Sequence, residues 1–160
     1  MQYLSYETKV TAYLPDEIPD KYLPLIAEAK KQTEKAYAVY SNFQVGAALL
    51  LENGEIVTGS NQENSAYPSG LCAERTAIFY ANAQYPDSAV IMMAIAAFTN
   101  GSFLPEPITP CGACRQVLLE SENRYNKNME IILYGTEKTY ILENAKQLLP
   151  LSFSKESLRK

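Results

Sequence analysis

Ala89-Val90-Ile91-Met92-Met93-Ala94-Ile95-Ala96-Ala97-Phe98 runs for ten residues without one polar side chain. A bilayer needs about 20 such residues, so this run is too short to span one. It reads instead as a strand buried on both faces, the kind covered by helices above and below. Apolar positions recur at helical spacing on either side of it, over Leu71–Ala83 before and about Cys111–Glu122 after. Met129–Tyr134 is a second buried strand, followed by a short strand at Tyr140–Leu142 and an amphipathic segment at Asn144–Leu149. Upstream, Gln44–Leu51 and Ile56–Ser60 flank Glu52-Asn53-Gly54-Glu55. Asn-Gly between two apolar runs predicts a hairpin, because both residues tolerate positive φ. Before the hairpin, a helix is predicted over Leu23–Ala38, with Leu25, Ile26, Ala29, Ala36, Tyr37 and Tyr40 near one face. Residues 1–22 are rich in Tyr and Pro, and alternation over Tyr6–Leu14 suggests a short edge strand or a packed arm. Strand, helix, strand, helix, strand implies right-handed crossovers and helices on both sides of one sheet. The expected fold is α/β: a three-layer α/β/α sandwich whose mixed sheet begins with an N-terminal hairpin.

At 160 residues and 47% hydrophobic content, the chain fits one domain over 1–160, with 1–22 as an arm. It contains no histidine. That excludes Ser-His-Asp and Cys-His catalysis, the H-E-x-x-H proteases and any imidazole metal ligand. A net charge of −4 without a Lys/Arg cluster argues against nucleic-acid and anionic-membrane surfaces. The opening MQYLSYETKVTAYLP lacks a basic region followed by an apolar one, so no secretory signal is expected. Three cysteines, an odd number, do not suggest a disulfide framework, and a reducing cytoplasm is the expected home.

Those cysteines fall in two short segments, Leu71-Cys72-Ala73-Glu74-Arg75 and Pro110-Cys111-Gly112-Ala113-Cys114-Arg115-Gln116. Both lie at predicted helix starts, where the positive end of the helix favours a thiolate. Cys111 and Cys114 are spaced to share one tetrahedral ion, and Cys72 joins them if the fold brings the two helix starts together. A structural zinc takes four protein ligands, whereas three with one position open to water describe a catalytic zinc. Three thiolates leave such a site near −1, and Arg75 and Arg115 stand beside the motifs as cations to offset it. Glu74, two positions after Cys72, is placed to move protons at the open position. Taken singly these residues have plainer readings. Cys-Gly-Ala-Cys at a helix start is also a redox pair, Cys72 alone an inert thiol, and Glu74 alone a first-turn helix acid. A third cysteine and the Pro-rich loop before Cys111 disfavour the redox reading.

Together, Cys-Ala-Glu-Arg and Pro-Cys-Gly-Ala-Cys-Arg-Gln closely resemble the zinc-dependent cytidine deaminases of the small homotetrameric type. A three-cysteine site with a non-ligand Glu is a feature of that superfamily. Tyr40-Ser41-Asn42-Phe43-Gln44-Val45-Gly46-Ala47-Ala48 resembles its first strand, and Asn61-Gln62-Glu63-Asn64-Ser65-Ala66-Tyr67-Pro68 its nucleoside-binding loop. The resemblance runs from about residue 23 to about 153. It implies one Zn2+ per chain on Cys72, Cys111 and Cys114. Glu74 would take a proton from the attacking water, pass it to N3 of the pyrimidine and help the amine leave. Asn61 and Glu63 would bind the ribose hydroxyls, and Phe43 with Val45 beside it would face the base. Tyr67 and Phe153 match positions that close the pocket of a neighbouring subunit. The implied reaction is hydrolytic deamination of cytidine and deoxycytidine.

Plainer readings remain beside these: Phe43 and Phe153 as core residues, Asn61 and Glu63 as turn residues. Ser65 stands where the family commonly has Ala, and the Gly101–Pro110 and Ser121–Asn128 segments look longer than its usual connections. A deaminase of a modified cytosine nucleoside, of the blasticidin type, would carry the same zinc motif, although Asn61 and Glu63 favour an unmodified ribose. A polynucleotide editor would need a basic groove and stacking aromatics. A non-catalytic zinc-stabilised module would need a fourth ligand.

Overall fold

The computed structural model describes residues 1–158. Seven strands form one sheet: β1 (Thr11–Tyr13), β2 (Gln44–Leu51), β3 (Ile56–Ser60), β4 (Val90–Thr99), β5 (Ser102–Phe103), β6 (Glu130–Tyr134) and β7 (Thr139–Leu142). Their order is β1-β7-β6-β4-β2-β3, with β5 folding back on the end of β4. β4 and β6 are parallel, and the other pairings are antiparallel. Three helices cover the sheet: α1 (Leu23–Gln32), α2 (Ala73–Gln84) and α3 (Gly112–Tyr125).

Strand alternation assigns each side chain to a layer. On β2, Val45, Ala47, Leu49 and Leu51 point to one face, where Ala77 and Ile78 of α2 and Leu118 of α3 meet them. Ala48 points to the other face, together with Ala94 and Ala96 of β4, against Leu25, Ile26 and Ala29 of α1. Both faces of β4 are therefore dry, as its unbroken apolar run requires. The three-layer α/β/α architecture with a mixed sheet is as expected. Small residues set how closely the helices approach. A Cβ on Gly46 would sit 2.0 Å from the Ala29 carbonyl oxygen of α1, and one on Gly59 would sit 2.6 Å from the Ala77 nitrogen of α2.

The hairpin has the predicted strand limits, but Gly54 alone of its turn residues takes positive φ. Asn53 keeps ordinary backbone geometry and instead accepts the Glu55 N–H through Oδ1. The first helix stops short of its predicted end. After Gln32 comes one 3-10 turn (Thr33–Lys35), and Ala36 is extended at ψ 134°. Tyr37 then forms a parallel bridge to Gln62, its N–H donating to the Asn61 carbonyl while its own carbonyl accepts from Glu63. Backbone pairing with a distant loop overrides local helical spacing there. α3 runs three residues beyond its expected end and stops at Asn126 in the left-handed conformation. The Gly101–Pro110 segment is tied down. β5 pairs with β4, and the Thr136 and Glu137 N–H groups donate to the carbonyls of Leu104 and Pro105. Thr11–Tyr13 is the edge strand read from the arm, and Thr8 Oγ1 anchors the preceding segment on the Gln147 carbonyl.

Antiparallel pairing of β2 with both β3 and β4 has one consequence for function. Gly46 pairs with Ser60, and Gln44 with Phe98. The ends of β3 and β4 and the start of β2 therefore share one edge of the sheet, and α2 and α3 both begin there. Gly59→Ala should push α2 off the sheet at that edge. The expected cost is about 1–3 kcal/mol in denaturant unfolding, accompanied by weakened metal retention. Unchanged stability would mean that α2 can shift freely on the sheet.

Candidate metal centre and nucleoside cavity

Cys72 and Cys111 are the residues immediately before α2 and α3, both extended, with ψ 155° and 165°. Extended backbone at a helix cap leaves the first N–H groups of the helix directed at whatever the cap side chain holds. Cys114 lies in the first turn of α3 and is fully buried. Although 39 positions separate Cys72 from Cys111, their sulfurs lie 3.7 Å apart. Cys111 and Cys114 are 3.4 Å apart, and all three sulfurs fall within 4.8 Å of one another. Tetrahedral zinc with Zn–S near 2.3 Å requires sulfurs about 3.8 Å apart. The donor set and its spacing fit that ion. No disulfide links the three.

Charge is arranged to match. The Cys72 thiol is lowered to about 5, chiefly by hydrogen bonding with Cys114 and further by Arg75 and Cys111. Cys114 is pushed up by that same contact and by burial. Arg75 donates from Nη2 to the Cys72 sulfur at 3.9 Å, while its buried Nε has no hydrogen-bond partner among the described residues. Arg115 is employed differently. It donates to the carbonyls of Pro110 and Leu148 and to Thr109 Oγ1, so it fixes the backbone just before Cys111. Glu74, second in α2, is 5% exposed. Burial raises its carboxyl above the usual range and the Cys72 charge adds to the rise, against opposing contributions from its own backbone N–H, Cys114 and Arg75.

A cavity of about 510 Å³ opens beside Cys72, with Asn61, Glu63, Tyr67 and Arg75 on its wall. Asn61 follows β3 and bridges the backbone of the facing strand. Its Oδ1 accepts from Val45 N at 2.8 Å, and its Nδ2 donates to the Phe43 carbonyl at 2.9 Å. One amide proton is left over for a ligand. Phe43 is half-buried against the core, and Val45 is buried in it. Tyr67 is 78% exposed and stands edge-on to Tyr40, their centroids 6.4 Å apart. Phe153 lies apart on the exposed C-terminal segment, its carbonyl accepting from Gln116 Nε2. Ser65 is exposed, in the loop between Asn61 and Tyr67. Sequence reading passed over Tyr40 and Ser41 as wall residues. The signal was a Ser two positions before Phe43, where a hydroxyl can cap the Phe43 N–H, as it does here at 3.0 Å.

Three convergent thiols with room for a fourth ligand, a buried carboxyl two residues after the first of them and a cavity alongside define a class, the zinc-dependent hydrolases. Comparison with known proteins narrows it. The cytidine and deoxycytidylate deaminase zinc-binding region matches residues 20–129. The cytidine deaminase of Sporosarcina psychrophila is 46% identical over 134 residues, which is 84% of this chain and 92% of that protein. That of Halalkalibacterium halodurans is 47% identical over 96 residues, 60% of this chain and 68% of the other. Among solved structures, the cytidine deaminase of Burkholderia pseudomallei superposes with a TM-score of 0.69 at 40% identity, covering 82% of this chain and 98% of that one. The chain belongs to the cytidine and deoxycytidylate deaminase family, and its cofactor is zinc.

Two measurements bear on the centre. Metal analysis is expected to give one zinc per chain, and a chelator should lower the melting temperature, because binding energy at such a site is also folding energy. Cys114→Ser should lose the ion with little compensation, since Cys114 is the fully buried member of the cluster that could hold it. Retention of zinc at one per chain in that variant would move the ligand set elsewhere.

Proposed function

We propose that the protein hydrolyses cytidine and deoxycytidine to uridine and deoxyuridine with release of ammonia. The observation that carries this is the convergence of Cys72, Cys111 and Cys114 at two helix starts, with buried Glu74 next to them and the Asn61–Glu63 wall opening from Cys72. Zinc held by the three sulfurs would supply a water acidified toward neutrality. The base lies with C4 toward the sulfurs and the sugar toward Asn61 and Glu63. Glu74 takes one proton from the attacking water and places it on N3 as the C4–O bond forms. It then passes the second proton to the exocyclic amine. The C4–N bond breaks, ammonia departs, and C4 keeps the oxygen as the carbonyl of uridine. Burial suits Glu74 to this, since a carboxylate that holds a proton more tightly than usual is the stronger base toward the attacking water. Phe43, beside Val45, stacks on the base, and Arg75 offsets the thiolate charge.

A free nucleoside suits this cavity better than a nucleotide. Among the described residues, Arg75 is the cation on the wall, its Nη2 already donating to the Cys72 sulfur, while Glu63 adds negative charge. Among the described residues on the wall, a phosphate would meet no second cation. The zinc-bearing chain is read as one domain with residues 1–22 as an arm, and as a subunit of a homotetramer with shared pockets. Exposed Tyr67, Phe79, Tyr80 and Phe153 support that assembly, as large apolar side chains left for a neighbour. Among the described residues, no helix is long and apolar enough to cross a membrane. Three free thiols suit a reducing cytoplasm, where salvage of pyrimidine nucleosides is the matching role.

Ammonia release or the ultraviolet change on adding cytidine tests the reaction. Glu74→Gln should keep zinc and the fold but lose turnover by roughly three or more orders of magnitude. Full activity in that variant would remove Glu74 from the proton path. Deoxycytidine should be turned over far faster than its 5′-phosphate, and the reverse preference would overturn the nucleoside reading.

A further inference from the structure

Glu63 is held unusually completely for a residue on an open surface. Its Oε2 accepts the backbone N–H groups of Tyr40 at 2.8 Å and Ser41 at 3.3 Å, and its Oε1 accepts the Ser41 hydroxyl at 2.5 Å. Ser41 Oγ in turn accepts the Phe43 N–H at 3.0 Å, which fixes the direction in which its proton points. The Glu63 N–H is also committed, to the Tyr37 carbonyl. Ser41 precedes β2 and Glu63 follows β3, so the contact closes the cavity wall across the sheet edge. A carboxylate offers about four acceptor sites, and three are filled here by the protein itself. One remains for a ligand, and it calls for a hydroxyl or another neutral donor. The same three donors, the Ser41 hydroxyl foremost, hold the Glu63 carboxyl below its usual range and so keep it an acceptor.

We propose that Ser41 is a positioning residue that fixes the Glu63 carboxylate in the rotamer in which it accepts one sugar hydroxyl, and thereby sets the preference for hydroxylated over dideoxy sugars. This rests on the reading that Glu63 faces the sugar. Without the Ser41 hydroxyl, Oε1 loses its anchor. The carboxylate must then be ordered by the substrate at the moment of binding, a cost that appears in KM rather than in the chemical step. Ser41 touches neither the sulfurs nor Glu74, so kcat at saturation has no reason to follow.

The test compares cytidine with 2′,3′-dideoxycytidine, which offers no sugar hydroxyl at either ring position. The zinc-loaded wild type, Ser41→Ala, Ser41→Thr and Glu63→Gln are each measured with both. Ser41→Ala should raise KM for cytidine roughly ten-fold or more while kcat stays within about two-fold, because a lost hydrogen bond to a charged group has that magnitude. KM for the dideoxy compound should barely move, and Ser41→Thr, which keeps the hydroxyl, should restore most of the difference. If Glu63→Gln loses the preference for cytidine but Ser41→Ala keeps it, the role given to Ser41 is wrong and the sugar reading of Glu63 stands. If Glu63→Gln keeps the preference as well, that reading falls too. Equal weakening of both substrates by Ser41→Ala, or loss of zinc, would make Ser41 a structural residue and overturn the proposal. Should Ser41→Ala fail to fold, Ser41→Cys, with its weak S–H donor, takes its place with the same expected split.

Discussion

Everything functional in this molecule depends on three sulfurs meeting within a few ångströms of one another at the positive ends of two helices. Thiols do not gather this way without cause. Their mutual repulsion as thiolates is offset by a metal, by helix N–H groups and by a nearby cation, here Arg75. The sheet supplies the geometry. Because β2 lies antiparallel between β3 and β4, the carboxyl ends of those two strands fall on one edge, and the helices that follow them begin there. Ligands bind outside the carboxyl ends of strands in open α/β sheets for the same reason. The fold thus places Cys72 and Cys111 together before any side-chain chemistry is considered.

The same edge assembles the cavity wall. Asn61 leaves β3 and Ser41 leads into β2, so a loop on one strand is stitched to the start of its neighbour by side chains that bond to backbone. Asn61 and Glu63 are each mostly satisfied by the protein, with limited capacity left over. Such residues recognise a ligand by what remains unpaired, and a rigid wall loses little entropy on binding. Tyr37 adds to this rigidity by pairing with Gln62 in place of continuing the first helix.

Arg75 and Arg115 show how two residues next to equivalent motifs come to play different parts. Arg75 reaches a sulfur. Arg115 spends its donors on the carbonyls of Pro110 and Leu148 and on the Thr109 hydroxyl, joining the loop before Cys111 to the C-terminal segment. One acts on charge and the other on position. Their adjacency to cysteines in sequence is alike, and only the direction of each side chain separates them.

Much of this was legible in the chain alone. The apolar run before Thr99, the Asn-Gly turn and the cysteine spacing are local patterns, and local patterns fix strand, turn and ligand type because periodicity and backbone freedom act over a few residues. The end of the first helix was not legible. Residues 36–40 have helical spacing, yet the Asn61–Glu63 loop pairs with Tyr37 and pulls the chain straight. The partnership of Ser41 with Glu63 was hidden for the same reason, since 22 positions separate them. The sequence by itself determined that there would be a buried sheet, three thiols at helix starts and an acid beside them. Only the tertiary structure decided that β3 and β4 end on the same edge, bringing those thiols within reach of one ion, because strand order is set by packing between segments far apart in the chain.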